Sequence, residues 1–120
     1  MTMKQYKRST RLGEQILRDI STLMQTELAD RAVRMVTFTH VRVSDDLHYA
    51  TAYYSVLGDD TDRQAIVDYF AQERKRIQHL LGRNLHLRRI PELTLKYDPS
   101  VEEGIRIERL LNEIKSNQQQ

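Results

Sequence analysis

The sequence predicts an α+β domain of two layers, with three β-strands covered on one side by helices. Three observations carry this. Apolar residues recur at spacings of three and four in three stretches, the pattern of amphipathic helices. Three other stretches alternate apolar with polar residues and favour β-branched and aromatic side chains, as strands do. The order helix, strand, strand, long helix, strand, helix supplies one layer of each kind. A chain of 120 residues suits one domain.

The first helix runs from about residue 8 to 29 on the spacing of Leu12, Ile16, Ile20, Leu23, Met24 and Leu28. At about 100° per residue, Lys7, Arg11 and Arg18 share a stripe nearly opposite that face. "MVTFTHVRVS" (35–44) and "HYATAYYSVL" (48–57) read as strands of an antiparallel hairpin. Ser44, Asp45 and Asp46 supply the turn, since their side chains bond nearby backbone. Strict alternation gives Thr39, Val41, Val43, Ala50, Ala52, Tyr54 and Val56 to the core. It leaves Phe38, His40, Arg42, Thr51 and Tyr53 on an open face.

"GDDTD" then places acids at a helix N-terminus. Ile66, Phe70, Ile77, Leu80, Leu81 and Leu85 continue a helical stripe to about residue 86. The stripe has a gap at Glu73 and Arg74, where charge does not enter a core cheaply. Two helical arms meeting near residues 73–75 are the expectation. Pro91 stops the helix and biases Ile90 to extended backbone. "ELTLKYD" (92–98) reads as the third strand, with Leu93, Leu95 and Tyr97 inward and Thr94 and Lys96 outward. Ser100 and Glu103 have capping-box spacing. They open a last helix carrying Ile107, Leu110, Leu111 and Ile114. One domain over residues 1–115 follows, with a frayed tail at 116–120.

Several function classes drop out. There is no cysteine, so thiol chemistry, disulfides and Cys-based zinc sites are excluded. No apolar run approaches the roughly 20 residues that cross a bilayer. The basic start "MTMKQYKRSTR" leads into an already charged "LGEQILRDI", which argues against a signal peptide. A cytoplasmic protein that does not engage membranes is expected. No phosphate-cradling glycine loop, nucleophile elbow or paired metal histidines are visible among His40, His48, His79 and His86. Asp45 with Asp46, and Glu102 with Glu103, fit a turn and a helix start better than a catalytic pair. No enzyme activity, cofactor, metal or small-molecule substrate is expected.

The charges point elsewhere. Net charge is only +2, yet "RKRIQHLLGRNLHLRR" (74–89) carries Arg74, Lys75, Arg76, Arg83, Arg88 and Arg89 without one acid. Lys7, Arg8 and Arg11 precede the first acid, Glu14. Segregated charge makes a local field that attracts polyanions even when the total is small. A guanidinium fork matches phosphate geometry. Helix C-termini also favour cations, but that accounts for only part of the segment. The candidate RNA-binding residues are therefore Lys7, Arg8, Arg11, Arg74, Lys75, Arg76, Arg83, Arg88 and Arg89, with Arg42 and Lys96 as weaker ones. Two rivals stand beside RNA binding. One is a protein-interaction module using the open sheet face. The other is a small hydrolase, for which no nucleophile–base pair is visible.

Three segments, "VRVSDDLHYATAYYSVL" (41–57), "LLGRNLHLRRIPELTLKYDPS" (80–100) and "GIRIERLL" (104–111), resemble the ribosome-binding factor A family. The first helix, "RLGEQILRDISTLMQTEL", has that family's length and pattern. "ADR" at 29–31 stands where the family often shows Asp-Pro-Arg. The resemblance implies a type II KH-like domain: helix, strand, strand, two helices meeting at a kink, strand, and a C-terminal helix. The family's Ala-x-Gly kink element falls on Glu73, Arg74 and Lys75, which match neither its Ala nor its Gly. The resemblance also implies a monomer, not an enzyme, whose partners are 16S rRNA and free 30S subunits. It would assist maturation of 16S rRNA near its 5′ end, leave before translation and serve growth in the cold.

Overall fold

The structure is a computed structural model describing residues 3–28, 31–85, 87 and 89–118, with the side chains at 3–7, 31–32, 101–102 and 118 outside the description. Helix α1 (Met3–Thr26) leads through a 3-10 turn (Arg31–Met35) into β1 (Val36–Val43) and β2 (Tyr49–Val56). Helix α2 (Asp60–Asn84), strand β3 (Glu92–Tyr97) and helix α3 (Ser100–Gln118) follow. The sheet order is β1-β2-β3. β1 pairs antiparallel with β2, and β3 pairs parallel with β2. A parallel neighbour needs a long crossover, and α2 is that crossover.

The core lies between one sheet face and helices α1 and α2. Ile16, Ile20 and Leu23 of α1 meet Ala50, Ala52 and Tyr54 of the sheet and Ile66, Phe70 and Ile77 of α2, all at most 2 % exposed. The small alanines of β2 let the helices sit close to the sheet. Gly13 serves the same end on α1, since a Cβ there would stand 2.8 Å from the carbonyl oxygen of Val41. Burial among Phe38, Phe70 and Tyr97 pushes the Tyr54 hydroxyl pKa up, because the apolar surroundings disfavour its anion.

The hairpin turn forms as its residues require. The Ser44 hydroxyl donates to Asp46 Oδ1 at 2.6 Å, and Asp46 Oδ1 also accepts from the His48 backbone N–H at 3.0 Å. These bonds lower the Asp46 pKa, the serine hydroxyl most. Asp59 caps α2 in a reciprocal box with Asp62, the arrangement that the acids of "GDDTD" foreshadow.

Four expectations need correction. The register of β1 against β2 shifts between Phe38 and His40. This bulge at Thr39 flips the alternation, so Phe38 is in the core at 8 % exposure and Thr39 is only half-buried. Burying a phenyl ring against Tyr54 and Phe70, at centroid distances of 6.0 and 5.8 Å, outweighs burying a threonine. Thr39 Oγ1 instead bonds the Tyr53 carbonyl at 3.3 Å.

Secondly, α2 is one unbroken helix from Asp60 to Asn84, not two arms meeting at 73–75. "AQERKR" (71–76) contains strong helix formers and no glycine to release the backbone. The gap in its apolar stripe is filled by polar contacts. Arg74 Nη1 donates to the Leu93 carbonyl at 3.3 Å, and Gln78 Oε1 accepts from the Leu93 N–H at 3.2 Å. Leu93 turns these groups away from β2, so Arg74 and Gln78 close part of the sheet's free edge.

Thirdly, α3 does not join the core. Ile107, Leu110, Leu111 and Ile114 are 50–56 % exposed, and α3 makes only marginal contact with the other elements among the described residues. The chain is accordingly extended, 63 × 38 × 19 Å, with a radius of gyration of 17.4 Å against about 14 Å for a compact domain of this length. Fourthly, Ser100 is the first residue of α3 and not its cap. Its N–H donates to Asp98 Oδ1 at 2.9 Å, and this bond is the main cause of Asp98's lowered pKa.

Candidate nucleic-acid interface

Helix α2 ends at Leu85, which is buried at 5 % exposure and has extended backbone. Pro91 is buried as well. These two anchors turn the connector back along the helix before β3 begins. Gly82 permits the return, because a Cβ there would lie 3.3 Å from Ile90 Cγ1. Between helix and connector lies an open cleft of about 800 Å³. Leu87, Ile90 and Gly82 give it an apolar floor, while Arg74, Lys75 and Arg83 give it a cationic wall, with His79 beside them. Glu92 is the acidic group at its margin.

The basic residues expected to form one surface divide into several groups. Arg74 is half-buried, tied to Gln78 at 3.2 Å and to Leu93. Lys75 and Arg89 are exposed and carry no ion pair among the described residues. Arg83 lines the cleft, but its Nη2 donates to both carboxylate oxygens of Glu27, at 2.9 and 3.0 Å. That pair joins the ends of α1 and α2. Arg76 lies about 100° round α2 from Lys75, 3.6 Å from Glu73. At about 100° per residue, Arg76 and Arg83 do share a side, as the seven-residue spacing implies.

Arg8 and Arg11 are exposed on the early turns of α1. Arg11 lies about 24 Å along the helix axis from Glu27, and so far from the Arg83 it holds. The side chain of Lys7 and all of Arg88 lie outside the described residues, as do His86 and positions 29 and 30 of the "ADR" segment. The structure therefore brings Arg74, Lys75 and Arg83 to one cleft. It leaves Arg8 with Arg11 as a distant pair, and Arg76 is not among the residues that line the cleft.

Sequence reasoning missed Gln78, Glu27 and the apolar floor. Gln78 had a signal: it stands four residues after Arg74, where one turn of helix would bring their side chains together. Glu27 had none, since its partner is far along the chain. Chemically, fixed cations beside an apolar floor can hold phosphates while a sugar or base covers the floor. Among the described residues there is no cluster of three or more metal-ligating side chains. No helix among them is long and apolar enough to cross a membrane.

Comparison with known proteins gives a consistent result. The family described as ribosome-binding factor A matches residues 8–111. Ribosome-binding factor A of Geotalea uraniireducens is 39% identical over 114 residues, covering 95% of this chain and 93% of the relative. The crystal structure of ribosome-binding factor A from Thermus thermophilus superposes with a TM-score of 0.63 at 22% identity, covering 72% of this chain and 92% of that one. A homology model of the Thermus thermophilus ribosome-binding factor A, fitted into a cryo-EM map of a 30S complex with that factor, matches with a TM-score of 0.63 at 20% identity. It covers 76% of this chain and 96% of that one. At these identities the two structures establish the α+β, KH-like fold.

Proposed function

The chain belongs to the ribosome-binding factor A family, and we propose that it binds the immature 30S subunit through 16S rRNA as a non-catalytic assembly factor. The observation that carries this reading is the cleft between α2 and the connector to β3, where Arg74, Lys75 and Arg83 surround an apolar floor. The Thermus thermophilus protein of the same fold, described in complex with the 30S subunit, supports the choice of partner. Phosphate contacts position a protein on folded RNA without any sequence motif.

In this reading Lys75 and Arg89 are the primary phosphate contacts, because no carboxylate among the described residues holds them. Arg74 and Arg83 act as fixed charges whose hydrogen bonds hold them in place. Lys7, Arg8 and Arg11 make a second, separate contact, and Arg76 and Arg88 extend the first. The factor favours the immature arrangement of rRNA near the 5′ end of 16S, and shifts populations only by that preference. It leaves before translation, and its help matters most in the cold. It acts in the cytoplasm as a monomer with one RNA-binding unit over residues 1–115, without membrane or small-molecule substrate.

The test is co-sedimentation with free small subunits at increasing salt. Affinity should fall steeply and linearly on logarithmic axes. The double variant Lys75→Glu with Arg89→Glu should bind about tenfold or more weakly while its circular dichroism stays that of the wild type. Undiminished, salt-independent pelleting of the variant would overturn the reading.

A further inference from the structure

The face of the sheet turned away from the helices carries a row that the cleft does not use. His40 of β1 stands opposite Tyr53 of β2, and Tyr53 stands opposite Lys96 of β3. The His40 and Tyr53 rings are stacked, 4.2 Å between centroids and 11° from parallel. That spacing is close to the distance between neighbouring strands. The two rings therefore stand upright on the sheet, face against face, rather than lying flat. Thr39 Oγ1, 3.1 Å from His40 Nδ1, holds the imidazole in that pose. The bulge at Thr39 is what brings His40 opposite Tyr53.

A stack of this kind has two ends. On the inner side Tyr53 faces the strand that carries Lys96. On the outer side the exposed His40 reaches the free edge of β1, where the sheet stops. A cleft of about 490 Å³ runs along that edge between β1 and α1, lined by Thr10, Gly13, Leu17, His40 and Arg42 together with acids Glu14 and Asp45. Arg42 lies on the same sheet face as His40, in the next row, and makes no ion pair among the described residues. Asp98 lies toward the other side of the His40 row. Its carboxylate already accepts from the Ser100 N–H at 2.9 Å and is further lowered by the charge of His40.

We propose that an unpaired RNA nucleotide docks at this edge, its base continuing the Tyr53–His40 stack from the His40 side and its phosphate meeting Arg42. The proposal rests on the RNA-binding reading above but uses a different surface. Base stacking on an aromatic side chain needs only an open ring face and tolerates any base. A ring already held upright loses little freedom when the base arrives. The charge order along the strands, Arg42 on one side of the stack and Asp98 on the other, fixes the direction of the backbone.

Fluorescence anisotropy of the full chain with a labelled oligoadenylate of about ten nucleotides, against a blunt RNA duplex of equal length, tests this. His40→Ala should weaken oligoadenylate binding about tenfold or more, and His40→Tyr should retain it. Duplex binding and the melting temperature should stay those of the wild type in both variants. Arg42→Glu should weaken oligoadenylate binding as well. Equal oligoadenylate binding by wild type and His40→Ala, no oligoadenylate binding by the wild type, or an equal loss on the duplex would each overturn the proposal. If salt-sensitive pelleting with small subunits persists through such a result, the RNA reading stands without this site. Loss of pelleting by His40→Ala with oligoadenylate binding intact would instead assign the face to a protein partner and overturn the proposal.

Discussion

Helices α1 and α3 carry nearly the same pattern and meet opposite fates. Both repeat large aliphatic residues at spacings of three and four, Ile16, Ile20 and Leu23 in one, Ile107, Leu110, Leu111 and Ile114 in the other. The first set is at most 2 % exposed and the second 50–56 %. Helix α1 lies on a sheet face opened by Ala50 and Ala52, and its own Gly13 lets it approach closely. Helix α3 leaves from the end of β3, past Asp98 and Pro99, in a direction where the sheet offers it no second apolar face. Periodicity thus states that a helix has a sticky side, and says nothing of what covers it.

That contrast can be sharpened by matched substitutions. Ile20→Ala should destabilise the chain by about 2–5 kcal/mol, the transfer cost of the side chain plus the cavity left behind. Leu110→Ala, the same kind of truncation on α3, should move stability by no more than about 0.5 kcal/mol. Urea unfolding followed by circular dichroism reads both. Equal losses would mean that α3 is packed in solution after all. A smaller effect tests why α1 can dock: Gly13→Ala should cost about 1–3 kcal/mol, because its methyl group meets the Val41 carbonyl and the helix must shift outward. The corresponding change on α3, Gly104→Ala, meets no atom within 4 Å and should stabilise slightly through helix propensity.

The smallest effect is that of pH. Asp46, Asp59 and Asp98 all have pKa values held below the usual carboxylate range, chiefly by the Ser44 hydroxyl, the Asp62 backbone N–H and the Ser100 backbone N–H. A depressed folded pKa contributes stability above the unfolded value and loses it as pH falls through the folded one. These acids should therefore cost stability as pH falls from the ordinary carboxylate pKa down through the lowered ones. Asp59→Asn should reduce that acid sensitivity. Unfolding midpoints at pH 7 and pH 3 check this.

The candidate site was less legible than the fold, and particular residues show why. The cluster of cations at 74–89 is a statement about sequence, while a binding surface is a statement about direction. Arg74 turns inward to cover the Leu93 backbone, and Arg83 turns to Glu27 of another helix. Neither contact has a local cue. Lys75 and Arg89 remain exposed because nothing of opposite charge among the described residues reaches them. The His40–Tyr53 stack was hidden for a related reason. Alternation placed both residues on the open face, but only the bulge at Thr39 set them opposite each other.

From the sequence by itself came the number, kind and order of the elements, the turn at Ser44–Asp46, the acidic start of α2 and the concentration of cations before Pro91. Each of these is decided by spacing, backbone preference or charge within a few residues, and such information is complete in the chain. Tertiary structure alone decided that Phe38 and not Thr39 enters the core, that Arg74 turns inward onto the Leu93 backbone, and that α3 stays apart. Each of those outcomes is a competition between groups distant in sequence for the same buried space or the same hydrogen-bond partner. The winner depends on where the other elements have already placed their atoms.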